Sequence, residues 1–299
     1  MDKNPWMQLS ETLAQVVRRV GPSVVPMVGR GDTFATATVY SADGLLVMAA
    51  HVIEEDEQVR ASLPDGSLVE AELLGQDAGT DVALVRAKTA SLPVTPWTGV
   101  DDLAVGNVVL ALAHPGKTVR ARMGIVGALG GEWRTEMGSR VDHYLEADVG
   151  VWPGFSGGPL VSVDEKVVGM NTSGLVRGTV VAVPHATVRR VVEEILQHGK
   201  VRRGYLGVSS QPARVPSALV EQAGTQVGLL VSGVAPDGPA GRAGVLMGDT
   251  LLTLDGAELP HPCVLLGLLD HATVGRTVKL RLIRAGALHE VDLTVGPRP

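Results

Sequence analysis

Between residues 24 and 183 the chain is a succession of short runs rich in valine, leucine and alanine, each closed by turn residues. The runs fall at 24–28, 34–40, 45–49, 68–74, 82–87, 107–113, 125–129, 143–147, 160–163, 167–171 and 179–183. Strands this short and this evenly spaced fold into barrels or a sandwich. No run alternates with a long helical segment, so a parallel α/β sheet is excluded. The 37 glycines and 18 prolines supply the turns. Aromatic residues are only 3% of the chain, so valine, alanine, leucine and glycine must fill the cores.

Helical periodicity appears on either side of this segment. Leu9, Leu13, Val16, Val17 and Val20 share one face, with Asn4 or Ser10 as candidate caps and Gly21-Pro22 as the stop. Val188, Val191, Val192, Ile195 and Leu196 form a second stripe, closed by Gly199 as a left-handed cap. The stretch KVRRG, 200–204, then reads as a linker. From 205 to 297 the pattern is mixed: β-rich runs at 206–209, 228–234, 249–254, 277–283 and 289–295, and a helix starting near Pro262 that carries Leu265, Leu266, Leu268 and Leu269. The expected plan is an N-terminal helix over 1–23, a β domain over 24–199 and a small α+β domain over 205–297.

Several function classes are set aside on composition. A net charge of −6 disfavours general nucleic-acid binding. The single cysteine, Cys263, excludes a disulfide within the chain and a cysteine-rich zinc site. No metal-ligand spacing or phosphate loop is present, so no metal and no cofactor is expected. The N-terminus lacks the basic start and apolar core of a signal peptide, and no apolar run approaches the ~18 residues that span a bilayer. As it stands the sequence reads as cytoplasmic, and as periplasmic or extracytoplasmic only if a leader has been removed.

The stretch WPGFSGGPL, 152–160, sets one serine among three glycines. A tight turn in a β protein is the plain reading. A nucleophile at Ser156 is the sharper one, and it needs a base and a group to orient that base. His51 ends the apolar run GLLVMAAHV, where a buried core histidine is the plain alternative. Asp81, in DAGTDVALV, stands at the mouth of another apolar strand and needs hydrogen-bond partners there. The order His51, Asp81, Ser156 inside one β-rich segment matches that of chymotrypsin-like double-barrel proteases.

On these residues, and on AAHVIE, TDVALV, PGFSGGPLV, VVGMNTSG and GPAGRAGVLMGDTLLTLDG, the chain resembles the HtrA (Deg) family of trypsin-like serine proteases with one C-terminal PDZ domain. The resemblance implies a mainly β fold: a chymotrypsin-like double six-stranded barrel followed by a small α+β PDZ domain. It implies that His51 is the general base, that Asp81 orients it and that Ser156 attacks, with the N–H groups of Gly154 and Ser156 as the oxyanion hole. Gly150, Val151, Phe155, Asn171, Thr172 and Ser173 would shape an uncharged specificity pocket for small or medium aliphatic residues. Tyr205, Leu206, Gly207 and Val208 would hold a peptide's C-terminus, with Leu265 and Leu269 lining its side-chain pocket. The resemblance further implies ATP-independent cleavage of unfolded or damaged polypeptides, regulation by PDZ-bound peptides, and homotrimers packed through the N-terminal region. Two departures stand out. Trp152 and Phe155 take positions where the family usually has asparagine, and ATATVY, 35–40, replaces a glycine-rich turn. They keep a second reading open, a latent or inactive PDZ-bearing scaffold.

Overall fold

The computed structural model describes residues 4–29, 34–53, 59–63, 65–89, 91–150 and 152–298. Residues divide into two compact units: 1–133 with 140–201, and 134–139 with 202–299. The segment 134–139, which the sequence reading placed within the β domain, belongs to the second unit.

Unit 1 opens on helix α1, Pro5–Val20. The Asn4 side chain accepts from the Trp6 N–H at 3.0 Å, and Pro5 occupies the first turn, where its missing N–H costs nothing. Val16 and Val20 are buried against Val24, Leu110, Leu112 and Val161. Six strands follow: β1 Val24–Val28, β2 Phe34–Val39, β3 Leu45–Ala49, β4 Val59–Ser62, β5 Leu68–Asp77 and β6 Val82–Ala87. They close in the order β1-β2-β3-β6-β5-β4, all antiparallel. Val25, Met27, Val39, Leu46, Met48 and Val85 fill the interior.

The next strands are β7 Val108–Ala113, β8 Arg120–Gly130, the short β9 Trp133–Arg134 and β10 Arg140–Val141, then β11 Tyr144–Ala147, β12 Pro159–Ser162, β13 Val167–Thr172 and β14 Val181–Pro184. A second barrel closes in the order β11-β14-β13-β12-β7-β8. Closure gives each barrel strand a neighbour on both sides among the described residues. Helix α2, His185–His198, buries Val188, Val191, Val192 and Ile195 among Val47 and Leu84 of the first barrel and Met170 and Val183 of the second. Gly199 ends it at φ 72°.

Unit 2 is built on β16 Val208–Arg214, β17 Val227–Val234, β18 Thr250–Leu254, β20 Thr277–Arg284 and β21 Ala287–Thr294, in the sheet order β16-β17-β18-β20-β21. The short strands β15 Gly204–Tyr205 and β22 Gly296–Pro297 pair with each other, and β19 Ala257–Glu258 pairs with β18. Its helices are α3 Val220–Ala223, α4 Pro239–Arg242 and α5 Pro262–Leu268. Leu229, Leu251, Leu265, Leu280, Leu282 and Leu293 are part of its own core. The mainly β architecture expected from the sequence, two closed six-stranded barrels and a small α+β domain, is the one found.

Candidate active site

His51 lies in the turn of 3-10 helix, Ala50–Val52, that follows β3, and Asp81 stands immediately before β6. Because β3 and β6 are paired neighbours with Ala49 opposite Val82, the two chain ends are brought together. The His51 Nδ1 is 2.7 Å from Asp81 Oδ2, and the His51 backbone N–H donates to Asp81 Oδ1 at 2.8 Å. The Ala50 N–H also donates to the Asp81 carbonyl at 3.0 Å. Asp81 is only 3% exposed and adopts φ 58°, a conformation rare for a residue with a side chain. Such strain persists where surrounding bonds over-determine it, as they do here. The hydrogen bond to Asp81 raises the His51 pKa above the imidazole's ordinary 6.5, against burial, which opposes charge.

Two further groups complete this pair. The Thr172 hydroxyl donates to Asp81 Oδ2 and accepts from the Gly174 N–H at 2.9 Å. A Cβ on Gly174 would lie 2.7 Å from His51 Nδ1 and 2.9 Å from Asp81 Oδ2, so only glycine lets the chain pass this close. The sequence reading gave Thr172 to the specificity pocket and did not single out Gly174. Thr172 instead supports the buried carboxylate, because β13 carries it beneath the His51–Asp81 pair.

Ser156 projects from the loop between β11 and β12. Among the described residues its hydroxyl pairs with Ser173 Oγ at 3.2 Å and accepts from the Ser173 N–H at 3.4 Å, and it makes no hydrogen bond to His51. Gly157 and Gly158 are forced by crowding: a Cβ would meet the Thr36 carbonyl oxygen at 2.1 Å and the Leu112 carbonyl oxygen at 2.0 Å. The N–H groups of Gly154 and Ser156 enter no hydrogen bond among the described residues.

The loop is pinned on several sides. Phe155 is 7% exposed and sits in the core of the second barrel with Val109, Leu145 and Val168. It does not stand free beside Ser156 as a bulky pocket wall. The Thr36 hydroxyl donates to the Gly154 carbonyl at 2.6 Å and accepts from the His114 N–H at 3.0 Å. Trp152 is 49% exposed, with the Arg122 guanidinium 3.6 Å from its ring centroid. Gly150 takes φ 72° and approaches the Trp152 indole nitrogen. Asn171 is buried and donates from its side chain to the Gly158 carbonyl at 3.1 Å. Val151 lies outside the described residues. Among the described residues no cluster of three or more metal-ligating side chains occurs.

In unit 2, Tyr205, Leu206, Gly207, Val208, Leu265 and Leu269 line one hollow of about 170 Å³, with Leu266, Arg203 and Arg298 also at its walls. Gly207 holds φ 81°, and Leu206, Leu265 and Leu269 are buried. All six residues named from the sequence therefore meet at one place.

Two antiparallel six-stranded barrels with a histidine–aspartate pair and a serine at their loops define a trypsin-like serine protease. Residues 35–170 match the trypsin-like peptidase domain family, and residues 204–295 match the PDZ domain family. The "HtrA-type protease AlgW with tripeptide" is 31% identical, with a TM-score of 0.71 over 96% of this chain and 97% of that one. The serine endoprotease from Yersinia pestis is 28% identical, with a TM-score of 0.74 over 96% of this chain and 98% of that one. A "probable periplasmic serine endoprotease DegP-like" of Halomonas elongata is 34% identical over 87% of this chain and 56% of its own length. The chain belongs to the HtrA family of serine proteases. It spans a little over half the length of the curated relatives it matches.

Proposed function

We propose that this chain is an ATP-independent serine endopeptidase that cuts unfolded or damaged polypeptides and is regulated by peptides bound to its PDZ unit. One observation carries the reading: the short His51–Asp81 pair, braced by Thr172, stands beside a serine loop whose two N–H groups are unpaired. When a peptide carbonyl enters, the Ser156 hydroxyl turns from Ser173 toward His51. His51 takes its proton through Nε2, while Asp81 holds Nδ1–H and stabilises the imidazolium. The serine oxygen adds to the carbonyl carbon, and the negative charge on oxygen falls to the Gly154 and Ser156 N–H groups. His51 then returns the proton to the leaving amine, leaving an acyl-enzyme. Water repeats the sequence with His51 again as base and frees Ser156.

Gly150 places no charge at the pocket floor, which supports cleavage after small or medium aliphatic residues. Ser173 and the neighbouring backbone form the wall nearest Ser156. The hollow between Tyr205–Val208 and α5 suits a peptide C-terminus added beside β16, its carboxylate received by backbone N–H groups. A homotrimer packed through the exposed Trp6 and Met7 is part of the same proposal, read by sedimentation. Among the described residues no helix is long and apolar enough to cross a membrane. Location is the finer point: the sequence reading is cytoplasmic, the curated relatives are named periplasmic, and a fusion to a reporter active only outside the cytoplasm separates the two.

The deciding experiment is labelling with a fluorophosphonate serine probe, wild type beside Ser156→Ala, with and without casein. Labelling lost in the variant, together with casein cleavage, is expected. Folded protein that never labels overturns the proposal in favour of the PDZ-bearing scaffold.

A further inference from the structure

Unit 1 has a second cleft, away from the His51–Asp81 pair and Ser156. It has a volume of about 710 Å³ and lies between the end of α1, strands β1 and β4, and the loop between β7 and β8. Pockets of roughly 300–1,000 Å³ are the usual size for small organic ligands. Val17, Val28, Leu63, Leu68 and Val119 give it apolar walls. Arg18, Arg60 and Lys117 also line it, and no acidic side chain does among the described residues. None of the three cations forms an ion pair or side-chain hydrogen bond among the described residues, although the chain as a whole is acidic. His114 lines the cleft too, and its Nδ1 is buried without a hydrogen-bond partner. A buried polar atom left unpaired asks for a partner that the protein itself does not supply.

The same loop touches the oxyanion machinery. A Cβ on Gly154 would fall 2.5 Å from the Pro115 Cβ, so the two residues are in direct contact. The His114 N–H reaches the Gly154 carbonyl through the Thr36 hydroxyl. A ligand that engages His114 and Lys117 therefore bears on the residues that position one of the two oxyanion donors.

We propose that this cleft is a binding site for an acyl carboxylate, its chain against the apolar walls and its head among Arg18, Arg60, Lys117 and His114, and that occupancy changes the order of the serine loop. The carboxylate offsets the unpaired cations, the hydrocarbon chain covers the apolar walls, and a turn of the His114 ring is what would bring its buried nitrogen to the head group. The binding claim stands on the cleft alone, whereas its catalytic consequence rests on the protease reading above.

The test uses the full chain and dodecanoate below its micelle-forming concentration, titrated by calorimetry. Dodecanol, of equal length but neutral, and acetate, a head without a chain, are the comparison ligands. The expected result is saturable one-to-one binding of dodecanoate, at least tenfold weaker for dodecanol, for acetate and for the Arg60→Glu/Lys117→Glu variant. Both substituted side chains are exposed and unpaired, and a circular dichroism melt checks that the variant folds. Hydrogen exchange read with and without dodecanoate is expected to slow at 114–119 and again at 152–158. Equal binding of dodecanol, or undiminished binding by the charge-reversed variant, overturns the site. So does no binding, including the case where sedimentation shows a second copy of the chain covering the cleft. Exchange that changes at the cleft but not at 152–158 overturns the coupling. Neither readout requires Ser156 to react, so failure of the protease reading is seen separately, as absent fluorophosphonate labelling.

Discussion

Ser173 holds the Ser156 hydroxyl in the structure, in place of His51. Removing that partner frees Ser156 to reach the base. Ser173→Ala is expected to raise the rate of fluorophosphonate labelling severalfold in the absence of polypeptide, and an unchanged or lower rate would show that Ser173 helps the reaction instead. The pH dependence follows from His51. Catalysis needs the neutral imidazole, and the Asp81 hydrogen bond favours the protonated one. The rising limb of kcat/KM against pH is therefore expected above the ordinary value of 6.5. Asp81→Asn removes that cause, so the limb should move down while the rate falls by about 10⁴. A limb that stays in place would mean that another group controls it. His51, Asp81 and Ser156 could be named from the sequence because each motif is local and their order is distinctive, and the proposed mechanism keeps them in those roles. The supports could not be named. Thr172 and Gly174 act on Asp81 from 91 and 93 residues away, and nothing in NTSG says which neighbour the fold will supply.

The serine loop is an element with several anchors, and they differ in reach. Thr36 bonds directly to the Gly154 carbonyl, whereas Arg122 rests on the exposed face of Trp152. Thr36→Val is expected to slow labelling at least tenfold, since it removes a buried bond next to an oxyanion donor. Arg122→Ala should cost only a few-fold, in keeping with a partly exposed cation–π contact worth about 0.5–1 kcal/mol. The reverse ranking in a labelling time course would place control of the loop at its outer face. Strand boundaries were legible where apolar runs were continuous, as in β1, β3 and β6, whose edges agree with the sequence reading. Strand β4, VRAS, was missed because four residues with an arginine and a serine carry too little pattern. Strand β8 runs longer than expected, since RARM reads as polar loop until its pairing with β7 is known. Strand β16 contains Pro212, which sits at the end of its sheet, where an unpaired edge tolerates the missing N–H.

At the scale of the whole molecule, each unit has a core of its own. In the second unit, Asp249 is 2% exposed and takes two bonds from Arg284, at 2.8 and 2.6 Å, and one from the Leu246 N–H at 2.8 Å. Burial pushes its carboxyl upward, but the Arg284 and Leu246 hydrogen bonds outweigh that and leave it below the ordinary range. A depressed carboxyl stabilises the fold above its unfolded value of about 4 and ceases to do so as pH falls through the folded value. Arg284→Met is expected to cost about 2–3 kcal/mol at pH 7, the lower end for a pair whose arginine remains partly in solvent. Urea titrations should show that penalty shrinking toward pH 3; a constant penalty would assign the loss to packing alone. This pair was invisible in the sequence, where GD at 248–249 stands just before β18 and Arg284 ends β20, and the β18–β20 pairing of Thr250 with Ile283 brings them together.

Phe155 has a consequence for how the protein can be switched. Its ring lies in the interior of the second barrel, one position before Ser156. Any loop shape that swings Ser156 far from its present place must first expose that ring, at about 1.5–3 kcal/mol for a buried phenylalanine. At equilibrium such shapes occupy roughly one molecule in ten to one in a few hundred. A regulator that acted by large rearrangement would have to discriminate between the two shapes by at least that factor. Regulation through displacements of the Gly154 carbonyl, which leave the ring seated, faces no such threshold. On the proposed protease reading, the aromatic beside the serine thus favours a graded rather than an all-or-none response.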